Sequence, residues 1–198
     1  MSLNPHYESV SEAEYLKNEL TSEIKHEYID GVVYAMAGAS DNHNRISGNI
    51  FSELKSGLKK QASPCVAYIA DMRLKQSSKY YYPDVMVVCS ADNKDKYNKT
   101  APVILVEVLS ASTRKKDLTT KRFYYQNIPS LKEYVLIEQD KAEIQVCRRK
   151  DHWQPYYYYL GEEITFESIG VTVSVEDIYY QVDTEDVREY LQSKTQAL

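Results

Sequence analysis

Val103-Ile104-Leu105-Val106-Glu107-Val108-Leu109 carries six apolar side chains out of seven and predicts the central strand of a sheet. A short, β-branched run of this kind is expected where a strand is buried on both faces. Glu107 is its one polar side chain, and a buried carboxylate is costly unless it is paired or bound to a metal. The stretch therefore predicts both the core of the sheet and a position with chemical activity.

A second carboxylate, Asp84, stands directly before the apolar run Val85-Met86-Val87-Val88. If the two strands are neighbours, Asp84 and Glu107 can project toward the same end of the sheet. Carboxylate oxygens are the hard ligands that Mg²⁺ or Mn²⁺ prefers, with water and substrate phosphate completing the shell. Each acid alone is commonly a turn residue or the partner of an arginine, but the two together favour a metal site.

A basic segment, 114–122, follows the strand that carries Glu107. Asp117, Lys121 and Tyr125 recur at four-residue spacing, so they share one helix face if the segment is helical from its start. Most charge runs are solvated, salt-bridged surfaces. Near the end of this strand, however, Lys121 could stabilise phosphate charge or orient an attacking water.

The other elements predict an α/β sandwich in which helices flank a mixed sheet. Ser11 and Glu14 have capping-box spacing, and Asp30-Gly31 lies between two β-prone runs as in a hairpin. Apolar residues at four-residue spacing predict a long helix over 41–60. Further predicted strands are 65–69 with an extension at 72–75, 80–89, 134–138, 143–148, 153–160 and 164–166, and further predicted helices are 118–127 and the segments after Ser174 and Thr184.

Length and composition limit the domain organisation and the function classes. The 198 residues predict a single domain, with a core over about 10–150 and a C-terminal extension over 151–198. A net charge of −5 counts against a repressor-like DNA-binding domain, although a nuclease cleft can be locally basic and hold a metal. For the 19 tyrosines, core and interface roles are commoner than base stacking. The chain has no glycine-rich phosphate loop and no H-E-x-x-H motif, which argues against cofactor-dependent enzymes of those kinds.

The cysteines and the hydropathy pattern predict a compartment. Cys65, Cys89 and Cys147 are widely spaced and odd in number, which argues against a disulfide framework and favours buried thiols in a reducing cytoplasm. Residues 1–6 show no signal-peptide pattern, and no segment approaches the roughly 18 apolar residues of a membrane span. We therefore expect a cytoplasmic protein that does not contact a membrane.

These residues resemble a known family. Pro83-Asp84, followed by Glu107 after 22 intervening residues, resembles the PD-(D/E)XK nuclease core, and the closer resemblance is to the Uma2 family (DUF820). That family has a restriction-endonuclease-like fold. The resembling stretches, over roughly 10–150, are Glu27-Tyr28-Ile29-Asp30-Gly31, Ala37-Gly38-Ala39-Ser40 with His43, Tyr82-Pro83-Asp84, Val106-Glu107-Val108-Leu109-Ser110, Ser112-Thr113-Arg114 with Asp117, Lys121 and Tyr125, and Pro129-Ser130-Leu131-Lys132-Glu133-Tyr134.

The resemblance implies a metal site formed by Asp84, Glu107 and the main-chain carbonyl of Val108. Two residues after Glu107, where the broader nuclease superfamily carries a lysine, this chain has Leu109. In the Uma2 family the lysine stands on the following helix, which implies that Lys121 takes its place here.

Two more residues match family positions near the expected cleft. The resemblance implies that Glu27 adds an acid to the site and that His43 polarises a phosphate or a water. Their ordinary alternatives are a surface acid on a strand and a residue at a helix N-terminus. Glu53 corresponds only loosely to an accessory glutamate of other nucleases with this fold.

The leading prediction is a metal-dependent endonuclease that hydrolyses phosphodiester bonds of nucleic acid, with DNA the expected substrate and Mg²⁺ or Mn²⁺ the cofactor. The alternative is a catalytically inactive protein on a nuclease scaffold that serves as a binding or assembly module. The acidic net charge and Leu109 motivate that alternative. A homodimer formed through the tyrosine-rich tail from Trp153 onward is left open by the sequence.

Overall fold

A mixed β-sheet lies at the centre of the computed structural model, which describes residues 9–89 and 95–196. The predicted central strand is β8, Pro102–Leu109, and it runs antiparallel to β6 on one side and parallel to β9 on the other. From one edge to the other, this six-stranded sheet consists of β11 (Pro155–Tyr159), β10 (Glu143–Arg148), β9 (Glu133–Glu138), β8, β6 (Val85–Val88) and β3 (Val66–Ile69).

A second, five-stranded sheet contains the predicted hairpin. Asp30 and Gly31 form its turn with φ of 48° and 94°, the left-handed conformation that a two-residue hairpin loop requires. In order, this sheet consists of β2 (Val32–Ala35), β1 (His26–Ile29), β5 (Lys79–Tyr81), β4 (Arg73–Gln76) and β7 (Asn98–Lys99), and a separate hairpin is formed by β12 (Glu163–Phe166) and β13 (Val171–Ser174).

Helices cover the sheets at the positions that the sequence predicts. The first helix is capped by Ser11, whose hydroxyl accepts a hydrogen bond from the main-chain nitrogen of Glu14, and the long second helix is capped by Ser40. The helices are α1 (Glu12–Glu19), α2 (Asp41–Lys60), α3 (Arg114–Lys116), α4 (Arg122–Gln126), α5 (Val175–Ile178) and α6 (Glu185–Gln196), with a π-helical turn (Asp117–Lys121) between α3 and α4.

Alternating side chains of the central strands build two apolar cores, one on each face of the six-stranded sheet. On one face, Ile104, Val106 and Val108 pack with the apolar stripe of α2 and with the β12–β13 hairpin. On the other face, Leu105 and Leu109 pack with side chains of α4 and β9. A strand buried on both faces explains why its sequence is nearly continuous in apolar residues.

The predicted strand over 80–89 is wrong as one element. It is divided into β5 and β6, which belong to different sheets. Pro83 lies at the division, where it has no main-chain N–H to donate to a ladder. The predicted extension of β3 at 72–75 is also wrong, because Ala70 turns the chain with a φ of 49° and the following residues form β4 in the second sheet.

The prediction of three free thiols is wrong for two of them, because Cys65 and Cys89 form a disulfide. β3 and β6 are antiparallel with Val66 opposite Val88, so the next pair along the ladder brings these two cysteines face to face. Their 24-residue separation along the chain conceals this contact. Cys147 is free and buried, as predicted. The inference from cysteines to a reducing compartment therefore loses its premise, and a cytoplasmic location stays a prediction.

Across residues 9–89 and 95–196, no helix is long and apolar enough to cross a membrane. Residues 1–6, for which the sequence predicts no signal peptide, lie outside the described ranges. A single domain over 1–198 also stays a prediction.

Two glycines of α2 offer a matched test of this packing. A Cβ added at Gly57 would lie 2.5 Å from Cγ1 of Val171, whereas one added at Gly48 meets no atom within 4 Å. Gly48→Ala should raise the free energy of unfolding by up to about 1 kcal/mol, because alanine is the better helix former. Gly57→Ala should lie about 1–3 kcal/mol below Gly48→Ala, because the stiff Val171 must move. Urea unfolding followed by circular dichroism measures both, and equal stabilities would contradict this contact.

Candidate functional site

Asp84 and Glu107 face each other across two neighbouring strands. β6 and β8 are antiparallel with Val85 opposite Val106, so the next pair in this register is Asp84 and Glu107. The expectation that the two strands are neighbours is confirmed. The Oδ2 atom of Asp84 also accepts a hydrogen bond of 2.7 Å from the main-chain nitrogen of Val108. Asp84 thus closes the end of β6 against β8 and fixes its own carboxylate beside that of Glu107.

The ammonium group of Lys121 lies among three carboxylates. Its Nζ atom is 3.0 Å from Oε1 of Glu107, 3.1 Å from Oε1 of Glu27 and 3.2 Å from Oδ1 of Asp117. Only the contact with Glu107 has hydrogen-bond geometry, and the other two are ionic contacts without an aligned N–H. Lys121 is only 4% exposed. These four side chains are called the lysine cluster below.

The helix that the sequence predicts over 118–127 begins earlier, at Arg114, and includes the π-helical turn from Asp117 to Lys121. Single π-helical turns occur frequently at functional sites. The shared face predicted for Asp117, Lys121 and Tyr125 is confirmed, because the hydroxyl of Tyr125 donates a hydrogen bond of 2.9 Å to Oε1 of Glu107.

Two buried tyrosines, Tyr125 and Tyr134, donate hydrogen bonds to members of the lysine cluster. Tyr134 donates a hydrogen bond of 3.1 Å to the main-chain oxygen of Asp117, and its ring packs edge-on against Tyr125. The Oε1 atom of Glu107 therefore accepts two hydrogen bonds, from Lys121 and Tyr125. Its Oε2 atom accepts none from the part of the chain that the structure describes. That oxygen is available to a ligand.

Burial and charge act together on the pKa values of the cluster. Burial alone would lower the pKa of Lys121, but Glu107, Glu27 and Asp117 outweigh it, so the pKa is well above its usual value and the ammonium stays charged. Burial raises the pKa of Glu107 well above its usual range, and neighbouring carboxylates raise it further. These two shifts are compatible, because one ammonium cannot neutralise several carboxylates.

Glu27 differs from Glu107 because it has two lysine partners. Burial alone would raise its pKa, but Lys121 and Lys116 outweigh burial and lower the pKa below its usual value. Lys116 binds the Oε2 atom of Glu27 through its ammonium group. Glu27 is therefore a charged bridge between the two lysines.

His43 joins the site from the first turn of α2. Its Nε2 atom lies 3.4 Å from Oδ2 of Asp84, and it also contacts the main chain of Val108. Burial alone would lower the pKa of His43, but the hydrogen bond and the charge of Asp84 outweigh burial and raise it. The imidazole of His43 therefore lies beside the point where the main chain of Val108 is hydrogen-bonded to Asp84.

A cleft with a volume of about 1020 Å³ opens above these groups. The five side chains that the sequence predicts for the site all line this cleft: Glu27, His43, Asp84, Glu107 and Lys121. Glu53 on α2 does not line it. Lys116 and Tyr34 also line the cleft, although no sequence pattern singles them out. Asp117 and Tyr125 belong to the site as well, and the sequence predicted no role for either. Four-residue spacing from Lys121 is the signal that links Asp117 and Tyr125 to the site. The residues with polar or aromatic groups that line the cleft include Tyr34, His43, Asp84, Glu107, Lys116 and Lys121.

The lysine cluster predicts a large stability effect. Lys121→Met should lower the free energy of unfolding at neutral pH by about 3–5 kcal/mol, because it leaves three buried carboxylates without their shared cation. Lys116→Met is the matched control and should cost much less, because that ammonium is partly exposed. Urea unfolding measures both variants. A Lys121→Met protein as stable as Lys116→Met would rule out the buried ion cluster.

Comparison with known proteins identifies the family. The Uma2 family model, described as "Putative restriction endonuclease", matches residues 12–176. An uncharacterized protein of Synechocystis sp. strain PCC 6803 is 33% identical over 178 residues, covering 87% of this chain and 93% of that protein. A second uncharacterized protein of the same strain is 37% identical over 148 residues, covering 72% of this chain and 78% of that protein.

A solved structure shows the same fold. It is the crystal structure of a "putative nuclease belonging to DUF820" from Anabaena variabilis, with a TM-score of 0.66 and 20% identity, covering 84% of this chain and 96% of that one. The predicted α/β architecture of a mixed sheet with flanking helices is thereby confirmed. With the family model matching most of its length, the chain belongs to the Uma2 family.

Proposed function

We propose that this protein is a metal-dependent endonuclease that hydrolyses phosphodiester bonds of DNA. The observation that carries the proposal is the opposition of Asp84 and Glu107 at the end of two apolar strands, inside a cleft that is also lined by His43 and three lysines. Membership of a family described as "Putative restriction endonuclease" supports the reaction class.

The donor set fits a divalent cation with an incomplete protein shell. Within the described residues, no group of three or more His, Cys, Asp or Glu side chains is arranged to hold a metal. Asp84 and Glu107 would bind Mg²⁺ or Mn²⁺ together with the main-chain oxygen of Val108, and water and phosphate oxygens would fill the other positions. The Oε2 atom of Glu107, which has no hydrogen-bond donor among the described residues, supports this fit. When bound, the cation makes water a better nucleophile and neutralises charge on the phosphate.

The chain's own residues then have separate tasks. Asp84 and Glu107 would hold the cation, and the hydrogen bond from Val108 to Asp84 keeps that carboxylate in place. His43 lies next to Asp84 and can donate a hydrogen bond to a phosphate oxygen or to water. Lys121 orients Glu107 and keeps positive charge close to the reacting phosphate.

A non-catalytic binding or assembly module is the competing function, and one observation favours it. The three carboxylates that surround Lys121 already engage its ammonium group, so that charge is less available to a substrate. Loss of activity with retention of this fold is a recognised outcome, because a fold hosts several functions.

Calorimetry and a cleavage assay separate the two functions. Wild-type protein should bind Mn²⁺, and Glu107→Gln should abolish that heat signal, because the variant loses one of two carboxylate ligands. Cleavage of plasmid and single-stranded DNA should require Mg²⁺ or Mn²⁺. It should fall by at least about 100-fold in Asp84→Asn and in Glu107→Gln.

Glu163→Gln is the matched control, because Glu163 is an exposed acid on β12 outside the cleft. It should leave metal binding and cleavage unchanged. Mn²⁺ binding that survives Glu107→Gln would refute the metal site. Metal binding without cleavage of either DNA would favour the non-catalytic module.

A further inference from the structure

Tyr34 presents an exposed aromatic ring on the wall of the cleft. It lies on β2 directly opposite Glu27 on β1, and side chains of a directly opposed pair stand on the same face of the sheet. Glu27 in turn contacts Lys121, which binds Glu107. Tyr34 is 45% exposed and lines the same cleft as the acids. Tyr34 is thus the outer end of a continuous path of contacts from the proposed metal ligands.

Two of the three lysines that line the cleft, Lys116 and Lys121, have different environments. The side chain of Lys121 is 5% exposed and lies among three carboxylates, whereas that of Lys116 is 29% exposed. The ammonium group of Lys116 lies 4.9 Å from the centroid of the Tyr34 ring and is also bound by Glu27. Of these two cations, Lys116 is the more accessible to a molecule in the cleft.

We propose that Tyr34 and Lys116 form a subsite for an unpaired nucleotide, in which Tyr34 stacks on a base and Lys116 binds the adjacent phosphate. The inference rests on the proposed function for its substrate, DNA, and adds that the bound strand is single-stranded at this point. The ammonium group of Lys116 lies over the Tyr34 ring, and Tyr34 is exposed enough to meet a base that enters the cleft. An aromatic face beside a cation is the usual way in which proteins hold an unpaired strand.

The charge of the cleft argues against a duplex as the occupant. Proteins that bind duplex DNA neutralise several phosphates with basic side chains. This cleft is mixed in charge, because its lining includes three lysines and four acids: Lys25, Lys116, Lys121, Glu23, Glu27, Asp84 and Glu107. A base inside a duplex also has both of its faces covered by its stacked neighbours, so Tyr34 could not stack on it. Stacking therefore supplies affinity that electrostatics here does not.

Fluorescence anisotropy tests the subsite by binding alone. The probes are a labelled oligodeoxythymidylate and a labelled duplex of the same length, with Ca²⁺ in place of Mg²⁺ and strand integrity checked on a gel. Wild-type protein should bind the single strand more tightly than the duplex. Tyr34→Leu should weaken single-strand binding by about 5-fold to 100-fold, and Tyr34→Phe should remain close to wild type, because the ring is retained.

The role of Lys116 is tested by salt dependence. Lys116→Gln should reduce the slope of log K against log salt concentration by about 0.7, as expected for the loss of one phosphate contact on a single strand. Lys116→Arg should retain the slope. Tyr157→Leu and Lys150→Gln are matched controls, because both residues lie outside the cleft and both variants should bind as wild type does. Thermal unfolding confirms that each variant is folded.

Equal affinity of Tyr34→Leu and wild-type protein for the single strand would overturn the subsite, as would tighter binding of the duplex. Binding that depends on Tyr34, without any cleavage in Mg²⁺, would support the subsite and contradict the endonuclease function. Cleavage of duplex DNA at equal rates by Tyr34→Leu and wild-type protein would support the endonuclease function and contradict the subsite. The two proposals therefore fail by different measurements.

Discussion

The ion cluster around Lys121 is the interaction on which the geometry of the site depends. Its three carboxylates come from the central strand, from the hairpin of the second sheet and from the π-helical turn. A buried cation with three acids is expensive to desolvate, and apolar side chains of equal volume often serve stability as well or better. What the cluster adds is position: it ties both sheets and the α3–α4 segment to one point beside Glu107.

Leu109 shows how the chain can lack the lysine of the broader nuclease pattern and still place a cation at the same carboxylate. Glu107 and Leu109 are two residues apart in β8, so they lie on the same face of the sheet. Leu109 is buried there among the apolar side chains that pack beneath α4. Lys121 reaches Glu107 from the segment that covers this face. The ammonium group beside Glu107 therefore comes from Lys121 on the α3–α4 segment. The strand position two residues after Glu107 is occupied by Leu109, which serves packing.

Local patterns predicted the elements whose physics is local. The stripe of α2, the Asp30-Gly31 turn and the apolar run of β8 each follow from the residues within the element, and each is present in the structure. Patterns failed where distant partners decide. The division of 80–89 depends on which sheet each half joins, and the Cys65–Cys89 bond depends on the register of two strands.

The candidate site divides along the same line. Asp84 and Glu107 could be predicted because a carboxylate in or beside an apolar strand is recognisable from the sequence alone. Lys116 and Tyr34 could not, because a lysine in a basic run and one tyrosine among 19 carry no local mark. Their relation appears only when the hairpin folds Tyr34 opposite Glu27 and Glu27 binds Lys116.

The candidate site contains more carboxylates than lysines, and this balance of charge affects how a substrate could bind. Asp84, Glu107, Glu27 and Asp117 are four carboxylates, and the two lysines bound among them leave the group with an excess of acid. Burial raises the pKa of Glu107, and the neighbouring carboxylates of this group raise it further. A phosphodiester that approached this group without another cation would be repelled. On the proposed function, affinity for a strand would come from a cation held by Asp84 and Glu107 and from contacts on the wall, where the aromatic face of Tyr34 requires no charge. An acidic net charge is in this way compatible with nucleic acid as the occupant, because the positive charge it needs is local and partly supplied on binding.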